Sequence, residues 1–302
     1  MKIFMTGGTG FIGPYIAARL IQDGHEVTIL IRSGGEVKGL VPGVAFLRGD
    51  PTQSGPWQEE VRNFDAVINL AGASIFSRWT EQQKQAIRES RISTTRHIVE
   101  AIEVSAGKSF TLFSISAVGY YGFHEDEDLT EESPPGKDFL ATVAAEWEGE
   151  ALRAKKKGAR VIITRFGIVL GSTGGALGQM IPVFKSFIGG PIGTGRQWFS
   201  WVHMKDLTEA FIFLLKNPEI SGPVNVCSPM PVRNKDLARA LGKVLHRPSF
   251  LPAPGFMVKL VLGEFGSVIL QGQKVLPRRL IESGFIFEYP DIDKALESLI
   301  RK

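Results

Sequence analysis

Near the N-terminus the sequence reads Thr6-Gly7-Gly8-Thr9-Gly10-Phe11-Ile12-Gly13. A short apolar segment precedes this stretch, and a helical pattern of apolar side chains follows it as far as Gln22. Glycine at every third position between a strand and a helix is typical of a turn that binds a dinucleotide. Gly7 would permit the tight turn, Gly10 would let the backbone approach a pyrophosphate, and Gly13 would let the helix pack closely on the sheet.

The first turn of that helix is the expected phosphate site. A helix N-terminus carries unpaired N–H groups and a partial positive charge, which together favour an anion. We therefore expect phosphate contacts from the three glycines and from Thr9, Phe11 and Ile12. A glycine-rich turn without a ligand is the alternative interpretation.

The end of the second predicted strand indicates which dinucleotide binds. A site that prefers NAD places a carboxylate there to hold the ribose hydroxyls. Here the strand is followed by Arg32 and Ser33, whereas Glu26 stands before the strand, at its wrong end. The planar guanidinium of Arg32 can pair with a 2′-phosphate, and the Ser33 hydroxyl can donate to it. The sequence therefore predicts NADP(H) as the cofactor, and an ordinary exposed arginine is the alternative.

The first half of the chain alternates between strand and helix patterns. Continuous apolar runs such as Ala66–Ala71 indicate strands that are buried on both faces. The alternation implies right-handed crossovers, so the predicted fold class is α/β, a Rossmann doubly wound parallel sheet with helices on both sides. The predicted strands are Lys2–Thr6, Val27–Ile31, Phe46–Leu47, Ala66–Ala71, Phe110–Ser116 and Ala159–Arg165, and the predicted helices are Phe11–Gln22, Glu81–Val104 and Ala141–Lys156.

The second half is less regular and suggests a small additional domain. We expect the dinucleotide-binding domain over residues 1–230, with loops in residues 168–200 contributing to a substrate pocket. A small, mainly helical C-terminal domain is expected over residues 247–302, after a proline-rich change in composition. The predicted elements are helices Lys205–Lys216, Asn234–Leu245 (with Asn234 as its cap), Phe256–Leu270 and Lys274–Glu282, strands Val224–Val226 and Phe285–Phe287, and a terminal helix from Asp291.

Composition excludes several classes of protein. The 302 residues carry 35 Lys and Arg against 31 Asp and Glu, without the clustered basic patch of a nucleic-acid binder. The single cysteine, Cys227, excludes an internal disulfide and a four-cysteine metal site, and no metal is predicted. No apolar stretch reaches the ~20 residues that a membrane span needs, and no signal peptide precedes the first strand. We therefore expect a cytoplasmic protein with neither nucleic-acid nor membrane partners, and an organelle stroma or matrix after removal of a transit peptide is the alternative location.

The chain resembles the extended short-chain dehydrogenase/reductase superfamily, of which the glycine turn quoted above is typical. More narrowly, it is similar to the epimerase-like atypical branch that carries a C-terminal domain of unknown function. This resemblance runs essentially end to end. Besides the glycine turn, the stretches that carry it are Ser77-Arg78-Trp79, Ser90-Arg91-Ile92, residues 116–122 (SAVGYYG), 189–195 (GGPIGTG), 198–203 (WFSWVH) and 272–277 (GQKVLP).

The resemblance implies further cofactor contacts. Asp50 matches an acidic position that contacts adenine. Arg91 stands where typical members have an asparagine, and it would either face the cofactor or form a salt bridge on the helix surface. The remaining implied contacts lie at the ends of the fourth, fifth and sixth strands, near the ribose and the nicotinamide, and are Leu70, Ala71, Gly72, Ser116, Arg165, Ile168 and Val169.

The catalytic pattern of the superfamily is missing from this sequence. Ordinary members use Ser or Thr with Tyr-x-x-x-Lys, in which the tyrosine moves a proton and the lysine lies one helical turn away. The chain has four tyrosines, and none is followed by lysine at the fourth position. The resemblance places Phe139 and Val143 where the pair would stand, and neither side chain can transfer a proton.

Two interpretations of function remain open. In the first, the protein is an NADP(H)-dependent oxidoreductase or epimerase with a displaced acid or base. The candidate catalytic residues are Ser116, Tyr120 (or the adjacent Tyr121) and Asp138, with His203 as a further possibility that more often caps a helix. In the second, the protein binds NADP(H) without turnover, as a redox-sensing or partner-binding module.

The substrate pocket is expected over the carboxyl ends of the strands. Aromatic rings and one or two arginines would suit a planar or apolar small molecule that bears a carboxylate or phosphate. The same rings could instead pack an interdomain core, and a nucleotide sugar stays open as a substrate. A homodimer through the two long helices is frequent in the superfamily. The predicted pocket residues are Trp79, Tyr121, Arg196, Trp198, Trp201 and His203.

Overall fold

The fold is organised around one seven-stranded parallel sheet. The computed structural model describes residues 1–32, 41–104 and 109–301. Its strands are β1 (Lys2–Thr6), β2 (Glu26–Ile31), β3 (Ala45–Arg48), β4 (Ala66–Asn69), β5 (Thr111–Ala117), β6 (Asp128–Leu129), β7 (Arg160–Phe166), β8 (Ile168–Gly171), β9 (Trp198–Phe199), β10 (Trp201–His203), β11 (Gly222–Val226), β12 (Val232–Arg233) and β13 (Lys274–Val275). The order across the main sheet is β3-β2-β1-β4-β5-β7-β11, which confirms the predicted α/β doubly wound fold.

Helices cover both faces of this sheet. They are α1 (Gly13–Gln22), α2 (Trp57–Glu60), α3 (Glu81–Ala101), α4 (Phe139–Leu152), α5 (Gly175–Lys185), α6 (Met204–Lys216), α7 (Asn234–Leu245), α8 (Gly255–Leu262), α9 (Glu264–Ile269), α10 (Arg278–Glu282) and α11 (Ile292–Ile300). In β4, Ile68 packs in the core beneath α1 and α6, whereas Val67 packs in the core beneath α3 and α4. Burial on both faces explains why the strand is apolar at three consecutive positions, 66–68, rather than at alternate ones.

The order of the strands fixes where a ligand can enter. The chain runs outward from β1 through β2 to β3, and then crosses back to β4 on the other side of β1. The loops after β1 and β4 therefore diverge, and they leave a crevice at the carboxyl edge of the sheet. The glycine turn lies at this edge, between β1 and α1.

The C-terminal elements differ from the predictions in four places. The helix expected over Phe256–Leu270 is split, because Gly263 takes a φ of 63° between α8 and α9. The helix expected over Lys274–Glu282 is confined to α10, preceded by Pro277 at its N-cap position, and residues 274–275 pair with β6 instead. Residues 285–287 form no strand, although Phe285 packs edge-on against Phe213. Asn234 does not cap α7, because its side chain accepts a hydrogen bond from the Ile192 N–H (2.7 Å).

The residues after 247 share cores with the rest of the chain. Leu280 and Phe285 lie in the same apolar cluster as α6. Leu296 of α11 packs with Leu241 of α7. The division into two domains stays a prediction. In the described parts of the chain, no helix is long and apolar enough to cross a membrane.

Candidate functional site

The glycine turn has a backbone that only glycine fits. Gly7 takes a φ of 67°, and a Cβ placed on it would lie 2.6 Å from the carbonyl carbon of Leu70. A Cβ on Gly13 would lie 2.3 Å from the carbonyl oxygen of Gly8. Both distances are far below van der Waals contact, so the turn sits tightly against β4 and against its own helix.

The start of α1 presents free N–H groups. Within the described ranges, the N–H groups of Phe11, Ile12 and Gly13 have no acceptor, and no side chain caps the helix. Thr9 and Gly10 are exposed beside them. Unpaired N–H groups at a helix N-terminus favour an anion, so the turn fits the phosphates of a dinucleotide.

A second glycine cluster holds the turn from the other side. The ring of Phe11 lies against the loop after β8, where a Cβ on Gly175 would come within 2.6 Å of the Phe11 Cε1 atom. Gly175 also takes a φ of 61°. The Tyr15 hydroxyl and the Thr173 hydroxyl are 3.1 Å apart across the same contact. The glycine excess therefore partly serves to pack the phosphate turn against the β8 loop.

The ends of β2 and β3 bear on the choice of cofactor. Arg32 follows β2 directly and is exposed, at the same edge of the sheet as the glycine turn. Ser33 lies outside the described residues. Asp50 follows β3, but one of its carboxylate oxygens accepts from the Thr52 N–H (2.9 Å) and from the Thr52 hydroxyl (2.7 Å). Asp50 therefore stabilises its own turn.

Arg91 of α3 approaches the end of β4. Its guanidinium lies against Gly72, where a Cβ would be 3.2 Å from the Arg91 Cζ atom. Its Nη1 donates to the carbonyls of Ala73 (3.1 Å) and Ile87 (3.0 Å). Leu70 and Ala71 complete this edge: the Leu70 N–H bonds to Thr6 and the Ala71 N–H to the Asn69 side chain.

Arg91 has no carboxylate partner among the described residues, so these residues do not support the surface salt bridge considered as an alternative. Burial lowers its pKa to about 10, which leaves the guanidinium charged at neutral pH. A half-buried, unpaired cation beside the ribose-side loop fits an anionic or polyhydroxylated ligand.

Ser116 and Arg165 belong to a buried ion-pair network. The Ser116 hydroxyl donates to Oε1 of Glu148 (2.7 Å). Arg165 donates to both oxygens of Glu148, from Nε at 2.8 Å and from Nη2 at 2.7 Å. Burial lowers the pKa of Arg165, but the hydrogen bonds and charge of Glu148 outweigh it and hold the pKa above its ordinary value. The guanidinium of Arg165 is therefore occupied within this network, and the implied contact of Arg165 with a cofactor stays a prediction.

Tyr121 closes the same network. Its hydroxyl accepts from Nη1 of Arg165 (2.9 Å) and donates to Oδ1 of Asn225 (2.6 Å). The side chain is fully buried, and this burial raises the pKa of the phenol. The structure thus places Tyr121 inside the protein, and its role in a substrate pocket stays a prediction.

Tyr120 differs from its neighbour. Its ring lies 3.5 Å from the Cζ atom of Arg165 and edge-on to Tyr121. The side chain is half-buried, and its hydroxyl has no hydrogen-bond partner in the ranges that the structure describes. Tyr120 therefore keeps a free phenol at the carboxyl end of β5, next to a buried positive charge.

The place of the missing catalytic pair is apolar. Phe139 begins α4 and packs against Trp79, with ring centroids 5.2 Å apart. Val143, one turn later, is buried. Asp138 is the N-cap of the helix, and its Oδ1 accepts from the Ala141 N–H (3.1 Å). One of the three predicted catalytic residues, Asp138, therefore has a structural role at this position.

Most of the predicted pocket residues lie elsewhere. Trp201 is fully buried and donates to the Met230 carbonyl. His203 caps α6 through Nδ1, stacks on Tyr289, and has its pKa lowered to about 4 by burial. Both side chains are buried and hydrogen-bonded, and their role in a substrate pocket stays a prediction.

Two further pocket predictions concern the β9 region. Trp198 stacks on Arg233 (3.8 Å) and donates to Asp126 (3.0 Å), so it serves a surface polar cluster. Arg196 is exposed two residues before it. Trp79 is the predicted pocket residue that lines a cavity. After β7, Ile168 is exposed and Val169 is half-buried, so both side chains are accessible to a nicotinamide ring.

Comparison with known proteins identifies the family. Residues 3–227 match the NAD dependent epimerase/dehydratase family. The chain belongs to this family. Residues 253–299 match DUF1731, a domain of unknown function, in agreement with the resemblance described above.

The family is shared by relatives of full length. The chain is 44% identical over 303 residues to "Epimerase family protein SDR39U1 homolog, chloroplastic" of Arabidopsis thaliana, covering 100% of this chain and 87% of the relative. It is 42% identical over 301 residues to "Epimerase family protein YfhF" of Bacillus subtilis, covering 99% and 98%. The cytoplasmic location stays a prediction.

Two solved structures superpose on the whole chain. Human epimerase family protein SDR39U1 with NADPH matches at a TM-score of 0.87 and 31% identity, covering 100% of both chains. UDP-glucose 4-epimerase of Thermus thermophilus, in complex with NAD, matches at a TM-score of 0.77 and 20% identity, covering 100% of this chain and 99% of that one. The second likeness shows the shared fold alone.

Two residues of this family member's site were not anticipated. Glu148 and Asn225 satisfy the buried guanidinium and phenol between them. A signal for Glu148 exists in the sequence, because it stands four residues after Ala144 and three before Ala151, both on the buried face of α4. A carboxylate on an apolar helix face predicts a buried partner. Asn225 gave no comparable signal.

Proposed function

We propose that this chain binds NADP(H) at the carboxyl edge of its main sheet. The observation that carries the proposal is the start of α1, where three adjacent N–H groups lack acceptors beside a backbone that only glycine fits. The human family member, whose crystal structure contains NADPH, supports the same cofactor. When bound, NADP(H) donates or accepts a hydride.

The roles of the binding residues follow from their positions. The N–H groups of Phe11, Ile12 and Gly13 bind the pyrophosphate. Arg32, exposed at the end of β2, pairs with the 2′-phosphate. Arg91 lies beside Gly72, in the loop after β4, the strand next to β1. From there it donates to the ribose or phosphate on the nicotinamide side of the cofactor.

Replacing Arg32 by alanine tests the cofactor preference. We expect NADPH affinity to fall about 10- to 100-fold, which corresponds to a lost charged hydrogen bond of about 1.5–3 kcal/mol. NADH affinity should stay unchanged, because NADH has no 2′-phosphate. Titration of cofactor fluorescence measures both, with Arg239→Ala on α7 (77% exposed) as a matched loss of positive charge. Equal affinity of the unmodified protein for NADPH and NADH would contradict the assignment.

We further propose that the protein is an oxidoreductase in which Tyr120 transfers the proton to or from the substrate oxygen. Of the three candidate residues, Ser116 donates to Glu148 and Asp138 caps α4, whereas the Tyr120 hydroxyl is unpaired in the described structure. The guanidinium of Arg165 lies over the Tyr120 ring and holds it at the carboxyl end of β5. The unpaired hydroxyl of Tyr120 can therefore donate a proton to a carbonyl oxygen.

Tyr120→Phe should abolish most turnover while leaving the fold intact. The exchange removes one unpaired hydroxyl and keeps the ring on Arg165, so stability should change by less than about 0.5 kcal/mol. Loss of general acid catalysis should lower kcat about 10²- to 10⁴-fold. Tyr289→Phe is the control, since that ring stacks on His203 rather than on Arg165. Undiminished kcat in Tyr120→Phe would remove the residue from the mechanism.

One observation favours a second function, NADP(H) binding without turnover. Phe139 and Val143 occupy the position of the usual Tyr and Lys with apolar packing. A binding module would retain NADPH affinity, oxidise no NADPH with any carbonyl compound of a broad panel, and show no difference between the native chain and Tyr120→Phe.

A further inference from the structure

A cavity of about 110 Å³ lies between the start of α4 and helix α9. Trp79 and Phe123 line it from the loops that follow β4 and β5, and Val268 lines it from α9. Since β4 adjoins β1, these loops lie next to the crevice in which the dinucleotide is proposed to bind. Phe139, at the position of the missing tyrosine, forms part of the wall.

We infer that this cavity is the substrate subsite and that it takes a small, neutral, planar carbonyl compound. The inference rests on the NADP(H) binding proposed above. An apolar cavity of about 150 Å³ is known to hold one benzene molecule. The cavity here is smaller than that and partly open to solvent, so it can enclose at most one planar ring or a short branched chain, with the polar group of the ligand at its mouth. It is too small to enclose the nucleotide sugar that the sequence left open.

The polar groups around the cavity set its charge preference. Lys84 lies 5.4 Å from the Phe139 ring centroid, but its ammonium pairs with Glu264 at 2.6 Å. Asp138 contributes a carboxylate to the lining. No unpaired cation lines the cavity as described, so a carboxylate or phosphate group on the ligand would be desolvated without compensation. The anionic substrate suggested by the sequence is therefore disfavoured.

Two uncharged polar groups complete the lining. Ser267, which is half-buried, and Gln271, which is exposed, line the cavity from the C-terminal part of the chain. Neither has a hydrogen-bond partner among the residues described. Apolar walls with a few free hydrogen-bonding groups are typical of sites for small neutral molecules. These two side chains can bond to a carbonyl or hydroxyl oxygen while the aromatic walls hold the ring.

Acetophenone and benzoate form a matched pair of probes, since both carry one planar ring and the same number of non-hydrogen atoms, but only benzoate is charged. We expect acetophenone to bind the full chain, measured by calorimetry without cofactor, and benzoate to bind at least about tenfold more weakly. Val268→Trp fills the cavity and should weaken acetophenone binding at least about tenfold. Val183→Trp on α5, at a residue that is 43% exposed, is the control and should bind acetophenone normally.

Ser267→Phe, at the half-buried lining position, narrows the same cavity should Val268→Trp fail to fold. Three results would overturn the inference: no acetophenone binding, equal binding to native and filled variants, or preferential binding of benzoate or of UDP-glucose. NADPH titration of the same variants separates the two proposals. Normal NADPH affinity without acetophenone binding contradicts the subsite alone, and absent NADPH binding contradicts the proposed function.

Discussion

Replacing Glu148 by alanine is expected to lower the free energy of unfolding by about 3–5 kcal/mol. Glu148 and Arg165 are 5% and 2% exposed, and two hydrogen bonds join them. Removing the carboxylate leaves the guanidinium buried, and its remaining hydrogen-bond partners among the described residues are the Tyr121 hydroxyl and the backbone carbonyl of Glu131. An uncompensated buried charge costs far more than the ion pair itself contributes, so the loss is large.

Thermal and urea unfolding measure this effect, and a neighbour on α4 supplies the control. Glu146 pairs with Arg88 at the surface, where the two side chains are 40% and 51% exposed. Glu146→Ala should therefore cost no more than about 1 kcal/mol. The double variant Glu148→Leu with Arg165→Met, which removes both charges, should recover most of the stability. Equal losses in the free energy of unfolding for Glu148→Ala and Glu146→Ala would show that the buried ion pair matters no more for stability than the surface pair.

Ser116 has a structural role in the ion-pair network of Glu148 and Arg165. Its hydroxyl donates to Glu148, so the serine is a member of the ion-pair network at the carboxyl end of β5. That network joins β5, β7 and α4 behind Tyr120. Ser116 therefore holds in place the charge against which the Tyr120 ring lies.

The fold was predictable because its signals are local. The glycine turn, the apolar run of β4 and the spacing of β5 and β7 each follow from short stretches of sequence, and right-handed crossovers then define the parallel sheet. The C-terminal elements were less predictable. Gly263 splits an apolar helix through a positive φ, which a hydrophobic pattern does not reveal.

The candidate site was predictable only where backbone determines it. The phosphate turn could be read from glycine spacing, since a Cβ on Gly7 or Gly13 is excluded by backbone atoms. The side chains of Arg165 and Tyr121 are held inside the protein by hydrogen bonds to Glu148 and Asn225, respectively. These partners lie 17 and 104 residues away along the chain. Pairings of that range depend on the register of α4 and of β11 against the sheet, and no single-sequence pattern encodes them.

Replacing Gly13 by alanine should nearly abolish dinucleotide binding. The new Cβ would meet the Gly8 carbonyl oxygen at 2.3 Å and its Cα at 2.5 Å, and backbone atoms cannot move aside as a flexible side chain would. The turn and the start of α1 must separate, which displaces the N–H groups of Phe11 and Ile12. Losing one or two charge-assisted hydrogen bonds to phosphate should weaken NADPH binding about 100-fold or more.

A second glycine, which lies in open surroundings, provides the control for this result. Gly149 lies in α4, and a Cβ there meets nothing within 4 Å. Gly149→Ala should leave NADPH affinity unchanged and raise stability by about 0.5–1 kcal/mol, because alanine loses less backbone entropy in a helix. Fluorescence titration of NADPH, with circular dichroism to confirm folding, compares the two variants. A folded Gly13→Ala protein that binds NADPH normally would mean that the phosphates lie elsewhere, because the close contact of α1 with its own turn is what aims the free N–H groups at them.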